Sequence, residues 1–78
     1  MRSLNHIAYE ISKDWRKPYF GAVPYIKAMQ SLDTIEDKYG LDDARDIVAR
    51  FLCNAATWRG PVARAVKAEL NAMLRGDK

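Results

Sequence analysis

The sequence predicts an all-α fold: a compact bundle of about four short helices with no sheet, forming one helical domain over residues 1–78. Apolar residues recur at helical spacing in four separate stretches. Proline and glycine fall between those stretches rather than within them. No run alternates polar and apolar residues with a period of two, and no hairpin dipeptide stands out.

The helices follow in order. Leu4, Ile7, Ala8, Ile11 and Trp15 form an apolar stripe, with Ser3 placed to cap it and His6, Glu10, Lys13 and Lys17 on the polar side. Proline disfavours the α conformation in the residue before it, so Pro18 bounds the first helix at about 4–16. Pro24 suits the first position of the second helix, about 24–39, along which Tyr25, Ala28, Met29, Leu32, Ile35 and Tyr39 keep helical spacing. Gly40 supplies a left-handed terminator, and Lys38 falls in the last turn. The chain restarts at once: Asp42 is placed to cap a third helix, about 42–57, with Asp43 and Asp46 near its positive end. Ala44, Ile47, Val48, Phe51, Leu52 and Ala55 give that helix the most apolar face of the chain, which predicts that it is the centre of the core. Gly60 and Pro61 open a fourth helix, about 61–75, whose inner face is Val62, Ala65, Val66, Leu70, Met73 and Leu74. Residues 76–78 read as a frayed tail.

Two punctuated segments separate these helices, KPYFGAVPY (17–25) and TWRGP (57–61). The first combines two prolines and a glycine with three aromatic rings, so it reads as a packed corner rather than a solvated linker.

A chain of 78 residues is near the size at which one core is only marginally sufficient, which favours a homo-oligomer. The single cysteine, Cys53, excludes an internal disulfide and a cysteine-cluster metal site, and its apolar neighbours predict a buried small hydrophobe. The chain turns polar directly after Met1, with no signal-peptide pattern and no run of membrane-spanning length. The expectation is a soluble cytoplasmic protein with no membrane partner. Charge is segmented: residues 1–27 and 55–78 are basic, and 28–54 are acidic. Such a pattern is neutralised within the fold or between subunits, or it leaves basic patches free for an anionic partner.

No catalytic constellation is present. His6 lies on a polar helix face and Cys53 in an apolar run, so neither supplies the other with a nucleophile's base. Asp42, Asp43 and Asp46 lack calcium-loop spacing, and helix capping accounts for them without a metal. The glycines are isolated and form no phosphate-cradling loop. The reading is a non-enzymatic protein with no cofactor and no metal.

The aromatic–basic pairs carry more weight. Trp15-Arg16-Lys17 and Trp58-Arg59 each set an indole beside cations at a helix boundary, the combination that holds nucleobases and phosphates. The competing reading is that both indoles plug the ends of the bundle while the charges reach water. It is favoured for Trp15, which continues its helix's inner stripe, and evenly balanced for Trp58. On helix four, Arg64, Lys67, Asn71 and Arg75 form a polar stripe that could track a phosphate backbone as a recognition helix, or merely be solvated.

YFGAVPYIKAM, DKYGLDDARDIVARFL and NAATWRGPVARAVKAEL together resemble a group of small helical proteins of tailed bacteriophages and prophages, to which no activity is assigned. The resemblance spans roughly residues 11–74 and implies a phage setting, hence the host cell cytoplasm, and a compact helical fold. It implies no site residues.

These readings combine into an expectation of a small phage-type binding protein that sequesters an anionic ligand, such as a nucleotide defence signal, or occludes a host protein. The candidate ligand-binding residues are Arg16, Lys17, Tyr19, Phe20, Tyr25, Trp58, Arg59 and Arg64. Aromatic faces would stack a base, and the cations would bond phosphate. The alternatives are a small DNA-binding regulator using helix 61–75, and a structural or assembly protein with protein contacts only.

Overall fold

In the computed structural model, which describes residues 2–76, Ser3 opens the first helix as its position predicts. Its backbone is extended and its Oγ accepts the His6 N–H at 3.3 Å. Helix α1 (Leu4–Asp14) buries Leu4, Ile7, Ala8 and Ile11. It ends two residues earlier than 4–16, because the chain leaves the helix at Trp15 to turn that indole into the core.

Helix α2 (Val23–Met29) is much shorter than 24–39. Pro24 stands in its first turn as expected, but the helix stops ten residues early. Two causes are visible. Beyond Gln30 the chain carries Ser31, Asp33, Thr34 and Asp37, whose short polar side chains compete with helical hydrogen bonds. The released backbone also serves α1, whose first N–H groups have no partner within their own helix. The carbonyls of Asp33 and Leu32 accept from Leu4 N–H at 2.8 Å and Asn5 N–H at 2.9 Å. Leu32 remains buried, so the helical spacing correctly marked it as core while misreporting its backbone.

The expectation of no sheet is corrected too. Strands β1 (Lys38–Tyr39) and β2 (Asp42–Asp43) pair antiparallel, Lys38 with Asp43 and Tyr39 with Asp42, across Gly40-Leu41. Gly40 has φ +62°, which a two-residue hairpin turn requires at this position and glycine meets without strain. Gly40 therefore turns a hairpin rather than closing a helix, and Lys38 lies in a strand. The fold is mostly α, with one small hairpin.

Helix α3 (Ala44–Cys53) begins two residues later and ends four earlier than 42–57. Asp43, not Asp42, is its N-cap residue, and no side chain there bonds the first turn. Ala44, Ile47, Val48 and Phe51 fill the core as predicted. Cys53 does not: it is exposed, because it lies two positions past Phe51 and so points away from the stripe. Helix α4 (Pro61–Arg75) matches the predicted bounds, with Gly60 as N-cap and left-handed Gly76 closing it. Of the expected tail, Asp77 and Lys78 lie outside the described residues.

The helices pack in a closed ring, α1 on α2, α2 on α3, α3 on α4 and α4 on α1. The chain thus runs between two poles. One gathers the start of α1, the hairpin, the start of α3 and the end of α4, where Arg45 donates to the Leu74 carbonyl at 3.0 Å. The other gathers the end of α1, the 15–22 corner, the end of α3 and the start of α4. Along the α1–α4 seam, Arg2 bridges Glu69 at 2.7 Å and Glu10 at 2.8 Å, and these bonds, that to Glu69 foremost, hold its guanidinium pKa above its already high ordinary value.

Candidate functional site

The end of α1 meets the 57–61 segment at the second pole, and the 17–25 corner follows directly on from it. Trp15 and Trp58 stack with ring centroids 5.7 Å apart and planes 10° from parallel, and Phe51 presents edges to both. The Trp58 indole N–H donates to Asp14 Oδ2 at 2.8 Å. Lys67 reaches back from α4 to the Trp58 carbonyl at 2.7 Å, its ammonium 6.0 Å from the indole centroid. Both tryptophans are buried, Trp58 at 2 % exposure. The indoles are end plugs of the bundle: Trp15 covers one face of Trp58, and the Lys67 side holds the rest, so neither offers a base a stacking platform.

The remaining aromatic candidates divide. Tyr25 is half-buried against the core. Tyr19 and Phe20 are exposed, at 47 % and 80 %, with ring centroids 4.9 Å apart. They are held in a tight turn in which the Tyr19 carbonyl accepts from Ala22 N–H at 2.8 Å. A side chain at Gly21 would meet the Tyr19 ring at 2.6 Å and Asn54 Oδ1 at 2.9 Å, so this corner also abuts the end of α3.

Two open grooves flank the stacked indoles. One, of about 310 Å³, is lined by Trp58, Arg59, Gly60, Ala63, Arg64 and Lys67 at the start of α4. The second, of about 230 Å³, lies between α1 and α2 and has Trp15, Pro18, Val23 and Ile26 as its floor, with Arg16, Lys27 and Gln30 at its rim. The structure therefore brings Trp58, Arg59 and Arg64 into one groove, places Arg16 in the other, and leaves Lys17, Tyr19 and Phe20 on the exposed corner between α1 and α2. No single groove joins all eight candidates. Lys67 and Lys27 line these grooves without having been among them. Lys67 was legible as Arg64's neighbour one turn on, whereas Lys27 depends on the approach of α2 to α1.

Cations predominate at this pole, where the Asp14 carboxylate is engaged by the Trp58 indole N–H. Arg2, Lys38, Arg45 and Lys67 are each held by a carboxylate or carbonyl. Among the described residues, Arg16, Lys17, Arg59 and Arg64 have no ion pair. Arg59 and Arg64 also flank the positive end of α4, whose first turn carries no acidic residue and no side-chain cap. Two cations placed against the helix dipole, with no ion pair among the described residues, form an arrangement that folding alone disfavours.

Among the described residues, no helix is long and apolar enough to cross a membrane. Comparison with family models, with curated proteins and with solved structures finds no match to this chain.

Proposed function

We propose that the protein is a non-enzymatic binding protein that captures a phosphate-bearing ligand at its basic pole. In the phage setting suggested by its sequence, this would sequester a nucleotide signal of the host or occlude a host protein. The observation that carries the reading is that cations without an ion pair among the described residues flank the buried indoles: Arg59 and Arg64 in the groove at the start of α4, Arg16 in the α1–α2 groove, and Lys17 with the exposed Tyr19 and Phe20 on the adjoining corner. In this reading Arg59 and Arg64 bond phosphate and the start of α4 adds its dipole. Base stacking passes from Trp58, whose ring is enclosed, to Tyr19 and Phe20.

Reading DNA through helix α4 is less favoured. Seven residues separate α3 from α4, longer than the three- or four-residue turn of a helix-turn-helix. The polar stripe is also partly engaged within the chain, since Lys67 Nζ bonds the Trp58 carbonyl and Asn71 Nδ2 bonds the Lys67 carbonyl at 2.9 Å.

Isothermal titration against a panel of linear and cyclic nucleotides tests the proposal. The expected result is saturable binding to at least one member, weakening as salt rises, with Arg59→Ala and Arg64→Ala each costing about tenfold in affinity. Flat isotherms across the panel at low salt would remove it.

A further inference from the structure

The hairpin at the first pole ends in an uncovered apolar side chain on an acidic stem. Leu41 is fully exposed, at 102 % of the reference value, and Tyr39 beside it is 45 % exposed. Both flanking strand positions of β2 are aspartates; Asp42 has no ion pair among the described residues, and Asp43 meets only Lys38, at 3.6 Å. Glu36 and Asp37 precede the stem. A two-stranded hairpin has little stability of its own, and its tip buries nothing here. An isolated aliphatic residue on a projecting acidic turn has the form of a ligand for another surface.

The α1–α2 groove is the complement of that turn. Its floor is apolar, formed by Trp15, Pro18, Val23 and Ile26, and its rim carries Arg16 and Lys27, neither of which has an ion pair among the described residues. Its volume of about 230 Å³ accommodates a branched aliphatic side chain. The groove and the turn lie on different parts of the same molecule, so one copy cannot fill its own groove.

We infer that the occupant of the α1–α2 groove is the hairpin of a second copy of this chain, with Leu41 on the apolar floor and Asp42 and Asp43 against Arg16 and Lys27. The charge complementarity of knob and groove selects a second copy over an unrelated partner. The contact is head-to-tail. Each copy retains one free knob and one free groove, so assembly continues into a ring or an open chain. Arg16 is shared with the proposed ligand site, so the contact is tested at Leu41, Lys27 and Gln30, which belong to no part of that site, and its failure is distinguishable from failure of the ligand reading.

Sedimentation velocity over a wide protein concentration range tests it, using the full chain and two variants altered only at exposed positions. Leu41→Glu removes the knob, and Lys27→Glu with Gln30→Glu reverses the groove rim; circular dichroism checks that both stay folded. The expected result is wild-type self-association that weakens with salt, at least roughly tenfold weaker association in each variant alone, and a one-to-one dimer when the two are mixed. A mixed dimer arises because each variant retains the face the other lacks. Three outcomes overturn the inference: a wild-type monomer at every concentration, association that neither variant weakens, or variants that each weaken association but do not pair when mixed. The last would indicate a two-fold contact in which both features lie on the same interface.

Discussion

Trp58 ties the end of α1 to α4 through one residue. Its ring stacks on Trp15 just past α1, its indole N–H reaches Asp14, and its carbonyl receives Lys67 from α4. Replacing it with phenylalanine keeps an aromatic plug but removes the bond to a carboxylate, a kind of hydrogen bond worth about 1.5–3 kcal/mol. Trp58→Phe should therefore lower the melting temperature by roughly 4–8 °C per kcal/mol lost in a domain of this size. Asp14→Asn, which keeps an acceptor oxygen, should cost less. Thermal unfolding followed by circular dichroism measures both, and an unchanged midpoint in Trp58→Phe would refute the assignment. Trp15 could be read as core from its place on the α1 stripe. Trp58 could not, because it follows α3 and its direction depends on where α1 ends. Cys53 misled for the opposite reason: its apolar neighbours suggested burial, but its angular position on α3 sets it outside.

Among the elements, α4 was legible in its bounds, since glycine and proline mark its start, but its face was misjudged at one position: Ala65, expected inside, is exposed, and Ala63 is buried in the core instead. The segment from Gln30 to Asp43 was not legible. Its apolar residues keep helical spacing, yet the polar residues among them build a different local structure around one carboxylate. Asp37 Oδ2 accepts from Asp33 N–H at 2.8 Å and Thr34 N–H at 3.0 Å, and its Oδ1 accepts from the Thr34 hydroxyl at 3.2 Å. The Thr34 and Asp33 backbone bonds favour the charged form and hold its pKa below the ordinary carboxylate value. A pKa lowered by folding stabilises the native state above the unfolded-state value of about 3.9, and that contribution disappears as pH falls through the folded-state value. Asp37→Asn imitates the protonated group. The wild type should exceed this variant in stability near neutral pH, and the difference should close in acid; urea unfolding at a series of pH values follows it. A difference of the same size in strong acid would mean that the charge is not its source.

For the whole molecule, the segmented charge of the sequence becomes two poles because an odd and an even helix end meet at each. The acidic middle gathers at the hairpin, and basic residues from both flanking segments gather around the indoles. This much follows from charge order plus alternating helix direction. What could not be read was whether acidic and basic groups pair, since that depends on distances across the bundle, and among the described residues the cations Arg59 and Arg64 at the start of α4 have no ion pair. Their placement predicts a conflict between stability and binding. Arg59 precedes the N-cap of α4 and Arg64 lies one turn in, where a negative charge would be favoured by about 0.3–1 kcal/mol and a positive one opposed. Arg59→Glu should hence raise the melting temperature at low salt, by a few degrees on the scale of ~4–8 °C per kcal/mol for small domains. The gain should fade as added salt screens the pole. The same variant should lose most of its affinity for a phosphate ligand. A solvated surface arginine with no binding role would show the first effect without the second, whereas a loss of both stability and affinity would mean that Arg59 holds the fold rather than a ligand.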